Sequence, residues 1–131
     1  MLDTDTDIVS SLVGATLGGY TIEGLLGQGG MSTVFRAHQA SLQRDVALKV
    51  LTPAQGKDPQ AARRFIEEAR TLARLDHPNI VAVYDVGESN GAAYIAMRLV
   101  DGPTLNEAIP RGGMPLARVD RIVQQIAAAL D

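Results

Sequence analysis

The sequence predicts an α+β domain in which a five-stranded antiparallel sheet carries one packed helix and is followed by further helices. Three observations support this class. Short β-favouring runs occur three times before, and twice after, a single strongly amphipathic segment. Glycine- and proline-containing turns separate these runs. Two more helical segments follow the last strand, and this order fits an antiparallel sheet better than βαβ units.

Composition and charge describe an ordinary globular domain. The chain has 131 residues, of which 46% are hydrophobic and 21% are charged, so it can bury a core. Its net charge of −3 gives no electrostatic case for binding nucleic acid or an anionic membrane. Without cysteine it has no disulfide framework and no thiolate metal site.

The N-terminal residues and the longest apolar runs bear on location. No apolar run approaches the roughly 18–20 residues of a membrane span. The first residues include Asp3, Asp5 and Asp7, where a secretory signal would be basic. We therefore expect a cytoplasmic protein, or the cytoplasmic part of a longer, membrane-anchored one.

The first half of the chain predicts a flexible tail and then three strands. Residues 1–17 are rich in Asp, Thr, Ser and Gly without a sustained period, which is typical of a tail. Residues 20–26 and 33–37 favour strands, and the glycine-rich turn GQGGMS joins them. Residues 45–51 alternate in polarity. One face of this third strand carries Val46, Leu48 and Val50, and the other carries Ala47, Lys49 and Leu51.

A helix is predicted from Asp58 to about Leu75. Asp58 is a suitable N-cap and Pro59 a suitable first helical residue. Glu68 falls at the edge of the apolar face, whereas Glu67 falls on the solvent side. A half-buried carboxylate requires a partner. The predicted apolar face consists of Ala62, Phe65, Ile66, Ala69, Leu72 and Ala73.

The second half predicts two strands and two helices. Residues 80–86 and 92–100 favour strands, and a turn containing Asn90 and Gly91 joins them. Thr104 can cap a short helix over residues 105–109. A longer amphipathic helix follows, and we expect its apolar face to be buried. That face consists of Val119, Ile122, Val123, Ile126 and Leu130.

The glycine-rich turn leaves two interpretations open when it is taken alone. Such a turn between strands is more often a plain hairpin or bulge than a ligand site, and a strand lysine is usually at a solvated edge. However, Lys49 shares a face with the small residue Ala47, and Glu68 needs a partner. An ion pair between Lys49 and Glu68 beneath the turn satisfies both, with Lys49 holding phosphate oxygens. The sequence therefore predicts a phosphate-binding flap.

Five segments together resemble a known family. In order, LGQGGMSTVFRA, VALKVL, the FIEEA helix, HPNIV and YIAMRLVDGPTL resemble the amino-terminal lobe of bacterial, eukaryotic-like serine/threonine protein kinases. The resemblance covers residues 20–131. After the tail over 1–17 that composition indicates, it implies an ATP-binding lobe over 18–100, and a hinge exit with the first helices of an incomplete carboxy-terminal lobe over 101–131. It also implies ATP as ligand, Mg²⁺ in the complete kinase, and a protein substrate.

The resemblance implies roles for individual residues at the phosphate end of the site. Lys49 would contact the α- and β-phosphates and pair with Glu68, and this ion pair is the catalytic assignment. Ser32 stands where many kinases have a third loop glycine. The residues that would cover the phosphates are Gly27, Gln28, Gly29, Gly30, Met31, Ser32 and Thr33.

The resemblance also assigns the base end of the site. Met97 would guard the back of the pocket, and backbone groups of Arg98 and Val100 would bind adenine. Thr104 would lie near the ribose. The residues that would enclose adenine are Leu26, Val34 and Ala47, and those that would hold the helix in register are Leu72 and Val83.

The catalytic loop H-R-D-x-x-x-x-N and the D-F-G motif of the family do not occur in the 131 residues. The sequence accordingly assigns no catalytic base and no metal ligand, and we expect this chain alone to transfer no phosphoryl group. The alternative is a non-catalytic nucleotide- or partner-binding module. In that case the exposed face of the last helix would favour self-association.

Overall fold

The structure, a computed structural model, describes residues 11–29, 32–51, 58–89 and 91–130. These residues form one antiparallel sheet whose strand order is β1-β2-β3-β4-β6-β5. The strands are β1 (Thr16–Leu17), β2 (Tyr20–Gln28), β3 (Thr33–Gln39), β4 (Arg44–Leu51), β5 (Val83–Ser89) and β6 (Ala92–Arg98). The described helices are α1 (Pro59–Ala73), which follows β4, and α2 (Leu105–Ala108) and α3 (Leu116–Leu130), which follow β6.

One strand of the sheet was not predicted. β1 pairs with β2 through Thr16 and Leu17, and Leu17 is only 3% exposed. The predicted tail therefore extends too far, because its last residues belong to the sheet. Residues 1–10 of that tail lie outside the described residues. A two-residue strand has no polarity period, so only pairing with its neighbour identifies it.

Strand β4 has the two faces that its alternation predicts, and residues of both faces belong to a core. Val46, Leu48 and Val50 belong to a core on one side of the sheet, together with Phe35 and Tyr20. On the opposite side, a second core lies beneath α1. Its buried members are Leu51, Phe65, Ala69, Ala93 and Ile95.

Helix α1 begins as predicted, and its predicted apolar face packs on the core except in the last turn. The Asp58 carboxylate accepts a hydrogen bond from the Gln60 backbone N–H at 3.0 Å, which confirms the N-cap. The buried residues are Ala61, Phe65 and Ala69. Leu72 is 45% exposed, so the predicted face is wrong in the last turn. The helical period identifies an apolar stripe, but packing on β5 and β6 selects which part of it is covered.

The strand after α1 begins and ends later in the chain than predicted. Strand β5 covers Val83–Ser89, three residues later than expected, and the following turn contains Gly91 with a positive φ of 78°. Asn90 lies outside the described residues. Ahead of this strand, the Asn79 side-chain amide donates a hydrogen bond to the Gln125 carbonyl at 2.7 Å. This bond links the loop after α1 to α3.

Helix α3 forms as predicted, but its apolar face is not buried. Val123, Ile126 and Leu130 are all exposed among the described residues. The expectation of burial is wrong for this part of the chain, because the sheet and α1 do not reach that face. None of the helices described is long and apolar enough to cross a membrane.

Candidate nucleotide-binding site

Two rows of directly paired residues cross the face of the sheet that looks toward α1. Val34, Lys49 and Ile95 are consecutive partners on β3, β4 and β6. Arg36, Ala47 and Met97 form the neighbouring row. Because directly opposite residues project from the same face, the pairing places Val34, Ala47, Lys49 and Met97 together. Ala47 is only 7% exposed, and its methyl side chain leaves space between Val34 and Met97.

The glycine-rich turn joins the first two long strands beside these rows. Gly27 pairs with Val34, and the pairing of β2 with β3 shifts between Leu25 and Gly27, so Leu26 is the extra residue of a bulge. The Gly29 backbone N–H donates to the Ser32 carbonyl at 2.9 Å, which closes the turn. Gly30 and Met31 lie outside the described residues.

Thr33 and Ser32 differ in what they offer a ligand. Thr33 is fully buried on the core face of β3, opposite to the face that carries Val34. Its side chain therefore points away from the pocket face, and only its backbone is available there. Its hydroxyl has no hydrogen-bond partner among the described residues. Ser32 is also largely buried, but it lines the pocket that contains Lys49.

Lys49 and Glu68 line one pocket of about 300 Å³ but do not touch. The described residues form no ion pair between them, and the Lys49 ammonium lies instead 5.7 Å from the centroid of the Phe65 ring. The side chain of Glu68 is exposed rather than half-buried as predicted. Glu68 borders the buried stripe of Ala61, Phe65 and Ala69, but its side chain remains in solvent.

The same pocket contains a cation that sequence reasoning missed. Arg64 lines it together with Ser32, Lys49 and Glu68. Its guanidinium Nη2 lies 3.8 Å from the Asp58 carboxylate. The signal was available, because Arg64 is one helical turn before Glu68 and so projects from the same side of α1. The pocket therefore presents two cations and one carboxylate.

The expected base end is more open. Leu26 and Val100 are exposed, and the Arg98 backbone N–H donates to the Ala82 carbonyl at 2.9 Å. The Thr104 hydroxyl accepts a hydrogen bond from the Glu107 backbone N–H at 3.2 Å, so it caps α2. Val83 packs against the core beneath α1, whereas Leu72, its expected partner in an apolar stack, is exposed.

A charged cluster that sequence reasoning did not find borders the row of Arg36, Ala47 and Met97. The Arg36 guanidinium lies 2.9 Å from Asp45 Oδ2, 3.8 Å from Glu23 Oε2 and 4.0 Å from Asp101 Oδ1. The hydrogen bonds that Asp45 accepts from His38 and from Arg36 lower the pKa of its carboxyl group. The hydrogen bond to Asp45 raises the pKa of Arg36.

Three members of this cluster could also serve as metal ligands. One ligand atom each from Glu23, His38 and Asp45 lie within 4.8 Å of one another. However, His38 Nδ1 and the Arg36 guanidinium already occupy the two oxygens of Asp45, each at 2.9 Å. The Arg36 guanidinium thus stands where a metal cation would have to bind, and we assign no metal to the cluster.

An antiparallel sheet with a glycine-rich turn, a strand lysine and one packed helix is the architecture of a kinase-type nucleotide-binding lobe. Residues 20–131 match the protein kinase domain family, and the chain belongs to that family.

Named relatives and a solved structure agree with this family. The chain is 43% identical over 118 residues to the serine/threonine-protein kinase PknJ of Mycobacterium tuberculosis, which covers 90% of this chain and 20% of PknJ. It is 43% identical over 134 residues to the serine/threonine-protein kinase pkn3 of Myxococcus xanthus, covering 99% and 24% of the two chains. The PknI kinase domain of M. tuberculosis superposes with a TM-score of 0.73 at 37% identity, covering 91% of this chain and 49% of that structure. The chain thus spans about a fifth to a quarter of these curated relatives.

Proposed function

We propose that the chain is the ATP-binding part of a serine/threonine protein kinase that transfers the γ-phosphate of ATP to serine or threonine side chains of proteins. The observation that carries this proposal is the pocket that Lys49 shares with Ser32 and Glu68, beside the glycine-rich turn. The relatives PknJ and pkn3 are named serine/threonine-protein kinases, which supports protein serine and threonine side chains as the substrate class. We place this lobe in the cytoplasm, where ATP is available.

The two neighbouring rows of the pocket would bind different parts of ATP. Adenine would lie against Ala47 between Val34 and Met97, because that row offers apolar walls and a small floor. The phosphates would lie one row further on, where the Lys49 ammonium can donate charge-assisted hydrogen bonds to them. Backbone N–H groups of the glycine-rich turn would cover the phosphates, since glycine allows a ligand to approach closely.

The separation of Lys49 and Glu68 defines what must change when nucleotide binds. Both groups already face one pocket, so a modest movement of α1 over the sheet would bring the carboxylate to the ammonium. Glu68 would then fix the direction of Lys49 and prevent it from remaining over the Phe65 ring. In this proposal the ion pair is a property of the nucleotide-bound lobe.

The residues that line the Lys49 pocket do not provide a ligand set for Mg²⁺, which the family uses. Mg²⁺ prefers octahedral oxygen coordination that includes carboxylates as well as phosphates and water. Glu68 is the one carboxylate among the residues that line the Lys49 pocket, and its proposed partner is Lys49. We therefore assign no step to a metal held by this chain.

Titration with ATP and with adenosine tests the phosphate role of Lys49. A charge-assisted hydrogen bond contributes roughly 1.5–3 kcal/mol, so Lys49→Ala should weaken ATP binding about 10- to 100-fold. It should leave adenosine binding unchanged, because adenosine has no phosphate. Arg63→Ala is the control, since Arg63 is exposed on α1 and lies outside this pocket. Unchanged ATP affinity in Lys49→Ala would show that the phosphate role is wrong.

The activity of the isolated chain is tested separately. Incubation of the 131-residue chain with ATP, Mg²⁺ and a generic protein substrate should give no phosphorylated product above background. The reason is that phosphoryl transfer requires an oriented hydroxyl and metal ligands, neither of which this sequence supplies. Clear turnover by purified chain would contradict the expectation.

A specific surface favours a second candidate, a partner-binding module. Helices α2 and α3 enclose an apolar pocket of about 300 Å³. It is lined by Leu105, Ile109, Met114, Val119, Ile122, Val123 and Ile126. Exposed apolar surface of this kind promotes association with another chain or with a further part of the same protein.

Sedimentation velocity over a range of concentrations tests self-association through this surface. The wild-type chain should form dimers that Ile126→Lys abolishes, whereas Gln124→Lys, which changes a polar residue of the same helix, should not. A monomeric wild-type chain at every concentration would refute self-association without affecting the ATP-binding proposal.

A further inference from the structure

We propose that Arg36 is a positioning residue that holds together the base end of the nucleotide pocket. It does so by joining strands β2, β3 and β4 to the segment that follows β6. The proposal rests on the proposed function, because it concerns the same pocket, and it adds a residue to which neither the family resemblance nor the sequence patterns assign a role.

The first argument is position. Arg36 lies directly opposite Ala47, and Ala47 lies directly opposite Met97, so the three side chains form one row across the pocket face. The neighbouring row contains Lys49, which marks the phosphate end. Arg36 is therefore at the base end, at the side of Ala47 that faces away from β6.

The second argument is reach. The Arg36 guanidinium contacts carboxylates from three other segments of the chain. They are Glu23 on β2, Asp45 on β4 and Asp101 beyond the end of β6. Strand β4 separates β3 from β6 in the sheet, so the contact at 4.0 Å with Asp101 spans a strand. No other ion pair among the described residues joins the sheet to the segment after β6.

The third argument is charge. Without Arg36, the carboxylates of Glu23, Asp45 and Asp101 would lie near one another without the cation that now contacts all three. Like charges in such proximity repel one another. The cation therefore keeps the segment after β6 close to the sheet, and that segment is where adenine is expected to bind.

The position of Arg36 predicts a pattern of nucleotide affinities that differs from that of Lys49. Arg36→Gln roughly keeps the size of the side chain and removes its charge. It should weaken the binding of adenosine and of ATP by the same factor, roughly three- to tenfold. Lys49→Ala should weaken ATP alone. Affinities are measured by titration of the 131-residue chain, with the free energy of unfolding of each variant determined in parallel.

Asp101→Asn provides a test that does not depend on the sheet. The Asp101 side chain is 87% exposed, so its replacement should not change stability. We expect about a twofold loss of adenosine affinity, as for one exposed ion pair, and no further loss when Arg36→Gln is already present. Glu107→Gln is the matched control, because Glu107 is an exposed acid in α2 with no ion pair among the described residues, and it should have no effect.

Each outcome is decisive. Equal losses for both ligands in Arg36→Gln, with Asp101→Asn non-additive, support the proposal. Unchanged adenosine affinity in Asp101→Asn overturns it, even where Arg36→Gln weakens binding, because Arg36 would then act only on the stability of the sheet. An additive effect of the two changes also overturns it. If wild-type chain binds neither ligand, the proposed function itself fails and the inference fails with it.

Discussion

Gly87 provides a quantitative test of packing on the side of the sheet opposite α1, where Tyr94 belongs to the core. It lies on β5 directly opposite Tyr94 on β6. A Cβ atom at Gly87 would be 2.5 Å from the Tyr94 hydroxyl oxygen and 2.8 Å from Cζ, which is closer than packed atoms can approach. Tyr94 is 6% exposed and packs edge-on against Tyr20 at 5.7 Å between ring centroids. The ring therefore cannot move without disturbing the core.

The expected cost follows from two opposing terms. Forcing extra atoms into a packed core costs about 1–3 kcal/mol. Replacing glycine by alanine restricts the unfolded chain and returns about 0.4–1 kcal/mol. Gly87→Ala should therefore lower the free energy of unfolding by roughly 1–2 kcal/mol. Urea unfolding followed by far-ultraviolet circular dichroism measures this loss, with an unchanged slope against urea concentration.

Gly24→Ala is the matched control, because Gly24 also lies in a strand and a Cβ there has no atom within 4 Å. It should be neutral or slightly stabilising. In Gly87→Ala, the additional change Tyr94→Phe removes the nearest atom and should recover part of the loss. If Gly87→Ala unfolds at the same urea concentration as Gly24→Ala, the inferred packing of Tyr94 over Gly87 is incorrect.

Two further predictions concern a helix cap and a buried tyrosine. Asp58→Ala should lower the free energy of unfolding by about 1 kcal/mol because the Gln60 N–H loses its acceptor, whereas Asp76→Ala, in a loop, should have little effect; urea unfolding compares the two. Burial, and then the hydrogen bond to the Asp85 carboxylate at 3.0 Å, raise the pKa of Tyr20 to about 12. Since the folded protein holds this proton more tightly, the stability that Tyr20 contributes should be present below pH 10.0, its ordinary pKa, and be lost as the pH rises through about 12. Burial also raises the pKa of Tyr94, so ultraviolet absorbance should show a late-ionising tyrosine near pH 12 that is missing in Tyr20→Phe while Tyr94 still ionises late. An unchanged titration curve in that variant would contradict the assignment.

Local chemistry made several features of this protein predictable. The alternation of β4 required two different faces, and residues of these two faces belong to separate cores. Asp58 and Pro59 mark the start of α1 because N-capping and the fixed φ of proline act within a few residues. The family resemblance rested on segments of the same local kind, and it led to the kinase-type lobe that the fold and the comparisons show.

The relation between elements was decided only in the tertiary structure. The helical period placed Glu68 beside an apolar stripe, but in the structure its side chain is exposed and Lys49 lies over the Phe65 ring instead. Arg64, to which the sequence assigned no role, lines the same pocket. Two elements must be placed relative to each other before an ion pair between them can be judged, and no period within one element contains that information.

The sequence by itself thus determined the order of strands and helices, the cap of α1, the two faces of β4 and the family. The tertiary structure decided which groups meet. It pairs Leu17 with Tyr20 in an additional strand, leaves the apolar face of α3 uncovered, and gathers Glu23, Asp45 and Asp101 around Arg36. The physical reason is range, because capping and alternation depend on neighbours in the chain. Burial and charge pairing depend on residues far apart in the chain, such as Tyr20 with Tyr94 and Arg36 with Asp101.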